Sequence, residues 1–203
     1  DQDTTTELLH SLEDARSHHR RKILASARTF LPEIVAEAIN QNVLDADTLI
    51  VRRCEGAVVF SDASGFTALT ERLAQYPNGA EKLSRCLNLF FTPLIGLLTA
   101  YRGDVIKFSG DALTILFAAT EDNLGHLHVC GSPNCSHTPL ELACLRASAC
   151  CLEIHKRLHN FDTGEGVKLT LHIGVGAGPV TILQVGGEQA RYEYVIAGQP
   201  LEQ

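Results

Sequence analysis

The stretch Gly56-Ala57-Val58-Val59-Phe60-Ser61-Asp62-Ala63-Ser64-Gly65-Phe66-Thr67 decides how this chain is read. Residues 57–60 are a short apolar run, the mark of a buried strand. Ser61 to Gly65 are small or polar, and Phe66 to Leu73 resumes with helical spacing. A strand that ends on an aspartate and passes through small residues into a helix sets a carboxylate beside free backbone N–H groups. Carboxylates suit hard divalent cations, and helix N-terminal amides suit phosphates. Both within a few residues suit a nucleoside triphosphate.

Outward from that stretch, Gly79 to Ala100 predicts a helix with Leu83, Leu87, Phe90, Phe91, Leu94, Ile95 and Leu98 on its buried side, broken by Gly103. Asp104 to Phe108 and Ala112 to Ala118 predict two strands joined through Ser109-Gly110-Asp111. Residues 120–139 read as a polar loop and Leu140 to His159 as a helix. Val167 to Val175 and Val180 to Val185 read as two strands separated by Gly176-Ala177-Gly178-Pro179, and Tyr192 to Ala197 as a last strand. With the two consecutive helices taken as one crossover, the fold class is α+β. It is a ferredoxin-like β-α-β-β-α-β core with an extra hairpin. In that sheet the first strand lies beside the central hairpin strand, so Asp62 and Asp111 project from one edge. Two carboxylates there could share two divalent ions, Mg²⁺ or Mn²⁺ with Ca²⁺ as a third candidate. Such ions stabilise both the attacking and the leaving oxygen of a displacement at phosphorus.

Upstream, residues 1–40 read as helical, from the spacing of Leu8, Leu9, Leu12, Ile23, Leu24, Ala27, Phe30 and Leu31, with Pro32 opening a second helix. The basic run Ser17 to Lys22 reads as a solvated face. Residues 41–55 read as a connector, which divides the chain into an N-terminal helical segment, 1–55, and a domain, 56–203. A net charge of −7 disfavours a general nucleic-acid binder. No apolar run approaches 18 residues, so no transmembrane segment is expected, and the acidic start is not a signal peptide. The absence of Met, even at position 1, reads as a fragment of a longer protein. Of seven cysteines, Cys54, Cys86, Cys144, Cys150 and Cys151 sit in apolar or helical contexts and read as reduced, buried thiols of a cytoplasmic protein. Cys130 and Cys135 lie with His126, His128 and His137 in the 120–139 loop. That cluster has soft ligands for Zn²⁺ but not the usual spacing, so a free polar insertion and a disulfide stay open. His172 reads as a sheet residue. His155 and His159, at i and i+4, read as a solvated helix face.

Phe60-Ser61-Asp62-Ala63-Ser64-Gly65-Phe66-Thr67 resembles the first metal motif of class III nucleotidyl cyclases, and Lys107-Phe108-Ser109-Gly110-Asp111-Ala112 resembles the second. Leu171 to Val180 is similar to the strand leading to the family's Gly-Pro turn, and Leu31 to Val35 to the segment before the domain in soluble, bicarbonate-responsive adenylyl cyclases. The resemblance implies that Asp62, Asp111 and the Ala63 carbonyl bind metal. It implies that Ser64, Gly65, Phe66 and Thr67 bind phosphate, and that the substrate is ATP, converted to 3′,5′-cyclic AMP and pyrophosphate.

The last family motif departs from that of a self-sufficient homodimer. With Gly198 at its glycine, Val195 takes the purine-selecting position and Glu202 the Asn position, and the Arg would fall beyond Gln203. This is the pattern of a C1 domain, which supplies both metal aspartates and takes base recognition and transition-state contacts from a C2 partner. Isolated, it is expected to be inactive. By the same resemblance Lys107 either faces a regulatory anion pocket for bicarbonate or reads adenine in a homodimer. A non-catalytic regulatory or dimerisation module of the same fold is the alternative, and the intact aspartate pair argues against it.

Overall fold

A computed structural model describes residue 32 and residues 51–119, 136–186 and 192–202. The first strand, β1, runs Val51–Ser64. Residues 51–55 are therefore strand rather than connector, and Asp62 lies inside the strand instead of ending it. Arg52, Arg53 and Glu55 are exposed there and carry no apolar pattern. Their strand conformation is set by pairing with a partner, not by local preference. Helix α1, Phe66–Leu73, follows through Gly65, and α2 spans Gly79–Ala100. Strands β2, Asp104–Ser109, and β3, Ala112–Ala118, form the central hairpin. Helix α3, Pro139–Leu158, opens with a reciprocal capping box between Thr138 and Glu141. Two-residue β4, Phe161–Asp162, precedes β5, Lys168–Gly186, and β6, Tyr192–Gly198, closes the sheet before the 3-10 turn Gln199–Leu201.

The sheet order is β2-β3-β1-β5-β4, with β6 also paired to β5. Every pairing is antiparallel. Strands β2, β3, β1 and β5, with helices between, give the ferredoxin-like core, and β5 with β6 gives the extra hairpin. One expectation is corrected: Gly176 to Pro179 does not separate two strands. β5 is one strand of 19 residues that pairs with the whole of β1, from Val51↔Leu183 to Ser64↔Thr170. The ladder carries the chain through the Gly-Pro segment, because Pro179 lacks only an N–H and Gly178 accepts φ 146°.

Ala57, Val59 and Ala63 of β1 face the main core with Leu69, Phe90, Leu94, Leu98, Phe117, Ala147 and Ile154. Phe90 is fully buried and meets Phe66, Phe91 and Phe161 edge to face, at centroid distances of 5.9, 5.3 and 5.5 Å. Ile95, expected on the buried side of α2, is exposed; the buried stripe runs through Cys86, Phe90, Leu94, Leu97 and Leu98. α2 is long and apolar enough by composition to cross a membrane, yet this stripe belongs to the core.

Alternation along β1 leaves Phe60, Asp62 and Ser64 on the opposite face, called helix-free because no helix among the described residues packs on it. At one end of that face the 199–201 turn presses on the sheet. A side chain on Gly176 would meet the Pro200 carbonyl oxygen at 2.0 Å. At the other end lies the candidate site. The N-terminal helices expected over 1–40 lie outside the described residues, as do residues 120–135.

Candidate active site

The β1–β3 register places Asp62 opposite Ala112, and Asp111 is the residue just before Ala112 in the hairpin turn. The two aspartates expected to share cations are thus brought to the same end of the sheet. Both are half-buried. Leu171 N donates to His159 Nδ1 at 3.4 Å, so its backbone points away from β1. By antiparallel alternation its partner Ala63 directs its carbonyl away from β5, toward the hairpin end that carries Asp111. Two carboxylates and one main-chain carbonyl are thus carried at the same end of the β1–β3 pair. This hard-oxygen set fits Mg²⁺, Mn²⁺ or Ca²⁺ with substrate oxygens completing the shell. Among the described residues no group of three or more His, Cys, Asp or Glu side chains is arranged to hold a metal ion.

Gly65 is the N-cap of α1, at φ 110°, with no side-chain cap. The first intrahelical bond is Leu69 N to Gly65 O at 3.0 Å, so the amides of Phe66, Thr67 and Ala68 are without helical partners. No acidic residue stands in the first turn to compete for them. Phe66 anchors this end by stacking on Phe91, at 6.0 Å between centroids. The expected phosphate segment, Ser64 to Thr67, is thus a strand end and a helix start rather than a loop, and it follows Asp62 directly.

His172 is a sheet residue, as expected, and it is exposed. It lies directly opposite Asp62, about 5.5 Å away between Cα atoms for a hydrogen-bonded antiparallel pair. Asp62, His172, Phe60 and Gly174 line one open cavity of about 690 Å³, which continues round β5 to Cys151, Leu152 and His155 of α3. Burial pushes the Cys151 thiol up to about 11, so it stays protonated and unreactive near neutral pH. His155 and His159 stack at 4.2 Å, and His159 caps the β5 edge rather than serving only as a solvated face.

Lys107 stands opposite Thr114, which stands opposite Phe60, placing all three in one row on the helix-free face. That row is two residues along from Asp62, so Lys107 is about 12 Å from it by strand spacing and rise. Its ammonium pairs with Glu193 of β6 at 3.7 Å. Val195 and Glu202 are exposed. Of the expected zinc group, only His137 is described; it is half-buried with Nδ1 unpartnered, and His126, His128, Cys130 and Cys135 lie outside the described residues.

A ferredoxin-like sheet with paired carboxylates at the strand end and an open helix N-terminus beside them defines a nucleotidyl cyclase catalytic domain. The chain belongs to the adenylate and guanylate cyclase catalytic domain family, whose profile matches residues 53–196. Rat adenylate cyclase type 10 is 30% identical over 155 residues, covering 75% of this chain and 9% of that protein. An uncharacterised protein of Mycobacterium tuberculosis is 31% identical over 147 residues, covering 72% of this chain and 22% of that one. The chain spans about a tenth of the length of its adenylate cyclase relatives. Among solved structures, a bacterial light-regulated adenylyl cyclase matches with TM-score 0.61 at 20% identity, over 94% of this chain and 48% of that one. The guanylyl cyclase Cya2 matches with TM-score 0.51 at 25% identity, over 75% and 67%.

Proposed function

We propose that this chain is the metal-carrying, C1-type half of an adenylyl cyclase, converting ATP to 3′,5′-cyclic AMP and pyrophosphate when paired with a C2-type domain. The observation that carries the reading is the β1–β3 register, which sets Asp62 and Asp111 at one strand end beside an uncapped helix N-terminus. In this reaction the ribose 3′-oxygen attacks the α-phosphorus. The 3′-hydroxyl loses its proton, the bond to the β-phosphate bridging oxygen breaks, and pyrophosphate leaves. The substrate attacks itself, so no side-chain nucleophile is required.

Asp62, the Ala63 carbonyl and Asp111 would hold divalent ions, which supply positive charge against the 3′-oxygen and the α-phosphate. The amides of Phe66 and Thr67 bind the β- and γ-phosphates. His172 faces the same cavity and positions the phosphate chain from the β5 side. The preference for ATP over GTP rests on the adenylate cyclase relatives; the chain's own Val195 has no group to read a base, which assigns that task to the partner.

The test is cyclase activity of this chain mixed with candidate C2 domains, comparing ATP with GTP. Asp62→Ala and Asp111→Ala should each lower turnover more than tenfold, at least ~1.4 kcal/mol of barrier, with circular dichroism unchanged. Retention of more than about a tenth of the wild-type rate, or robust turnover by the chain alone rising with the square of its concentration, would overturn the assignment.

A further inference from the structure

The amides at the start of α1 and the carboxylate of Asp111 belong to separate pieces of chain, and neither piece is fixed at its own tip. α1 begins on Gly65 with no side-chain cap. The hairpin turn that carries Asp111 has nothing packed on Gly110, where an added Cβ would meet no atom within 4 Å. Both pieces reach the same side chain. Phe66, the first residue of α1, stacks on Phe91 of α2, with centroids 6.0 Å apart and planes 5° from parallel. Phe108 of β2 meets Phe91 edge to face, at 6.0 Å and 74°. Phe108 reaches α2 because of the irregularity between Val105 and Lys107. An unbroken ladder from Val105↔Ile115 would set Phe108 opposite Ala112 and turn it to the helix-free face. One extra residue sets it opposite the buried Leu113 instead, on the side where the helices pack.

We propose that Phe91 is a positioning residue of the cyclase site, whose ring fixes the α1 N-terminus and the Asp111 hairpin at one separation. The inference deepens the cyclase reading and rests on it. Phe91 acts through Phe66 on the α1 amides and through Phe108 on Asp111. It suits the task because it is itself held: it stands in a helix of 22 residues, and Phe90, fully buried, meets it edge to face at 5.3 Å. A stacked contact on one partner and an edge contact on the other fix direction as well as distance. An aliphatic side chain would fill the same space without fixing the angle. Phe108 is 51% exposed, so its contact with Phe91 adds little burial and serves mainly to place the hairpin. A triphosphate bound by the α1 amides at one end and by cations on Asp62 and Asp111 at the other feels any drift between the two. Such drift spoils the line of attack more than it weakens ground-state binding, and a displacement of about 1 Å costs on the order of 100-fold in rate.

The test compares Phe91→Leu, Phe108→Leu, their double variant and Phe91→Tyr with Phe161→Leu. Phe161 meets Phe90 at 5.5 Å from the β4 side, so its loss reports the cost of a missing ring in the same aromatic cluster. Three quantities are measured: Mn²⁺ affinity of the chain by electron paramagnetic resonance, the urea midpoint, and kcat and KM with a C2-type partner. Phe91→Leu and Phe108→Leu should each weaken Mn²⁺ binding about two- to tenfold, the weight of one aromatic contact. Each should lower kcat by about tenfold or more while KM moves less than about threefold. The double variant should be no worse than Phe91→Leu, which already removes both contacts. Phe91→Tyr keeps the ring and should keep Mn²⁺ affinity and kcat. Phe161→Leu should lower the urea midpoint but leave Mn²⁺ affinity and kcat in place. Should Phe91→Leu not fold, Phe108→Leu carries the same comparison from the exposed end of the contact. Phe91→Leu or Phe108→Leu matching Phe161→Leu in Mn²⁺ affinity and kcat would overturn the inference alone. So would losses that add in the double variant, or a Phe91→Tyr as impaired as Phe91→Leu. A wild type that neither binds Mn²⁺ through Asp62 and Asp111 nor turns over would overturn the cyclase reading, and this inference with it.

Discussion

Gly65→Ala tests the junction on which the site depends. Gly65 sits at φ 110°, where an L-residue is strained by about 1–2 kcal/mol. An added Cβ would also come within 2.7 Å of the Lys168 carbonyl oxygen, which is backbone and cannot swing aside. Relief requires moving β5 or the start of α1, at a cost in the overpacking range of about 1–3 kcal/mol. The sum, about 2–5 kcal/mol, is a large part of the 5–15 kcal/mol typical of a domain. Gly110 is the internal control. It lies at φ 67° in the hairpin turn, and a Cβ there meets nothing within 4 Å. Gly110→Ala should therefore cost the backbone term alone, about 1–2 kcal/mol. The assay is urea unfolding of both variants followed by far-UV circular dichroism, with Mn²⁺ affinity measured beside it. Gly65→Ala should be the less stable of the two and should also bind Mn²⁺ less tightly, since Asp62 and the α1 amides shift together. Equal stabilities, or a loss in Gly65→Ala below about 1 kcal/mol, would show that neither the strain nor the close approach is real.

Two further outcomes follow from the same geometry. His172→Ala should lower kcat/KM of the assembled enzyme by up to about tenfold, the weight of one hydrogen bond, while leaving the urea midpoint unchanged because His172 is exposed; an unaltered kcat/KM would remove it from the site. Burial pushes Cys150 up to about 12 and Cys151 up to about 11. The native state therefore keeps protons that the unfolded chain releases. That gives no pH dependence well below the unfolded thiol range, and a stability that falls as pH rises from there toward the native values. The urea midpoint should drop between pH 8 and pH 10, less so in Cys150→Ala, and iodoacetamide should label neither thiol in the native protein at pH 8. Native-state labelling, or a midpoint that rises with pH, would contradict this burial.

What could be read from the sequence was what each segment dictates by itself. α1, α2 and β3 were legible to the residue, and β2 nearly so, because apolar spacing and glycine breaks bound them. The nearness of Asp62 and Asp111 was legible because the topology pairs β1 with β3, although Asp62 lies inside β1 and not at its end. The first residues of β1 and the continuity of β5 were not, because Arg52-Arg53-Cys54-Glu55 and Gly176-Ala177-Gly178-Pro179 have no local strand preference. They are strand because their partners hold them there. The partners of His172 and Glu193 were hidden for the same reason at longer range. His172 gains meaning only from the residue opposite it, 110 positions earlier in the chain, and Glu193 only from the approach of β6 to β2.

The long ladder between β1 and β5 also has a temporal consequence. Val51 must wait for Leu183, and Ser64 for Thr170, before either is paired on that side. At a synthesis rate of roughly 5–20 residues per second, the open side of β1 stands exposed at the ribosome for on the order of 10 s. Non-local pairing of this kind is also intrinsically slow once both strands are present. During that interval Val58 and Val59, almost fully buried in the finished domain, sit on a strand whose backbone can join any passing edge. Assembly of the catalytic end thereby waits until β5 begins to emerge, late in the domain's synthesis. The carboxylate of Asp62 is made early, but the surface on which it works is completed only when the chain has reached β5.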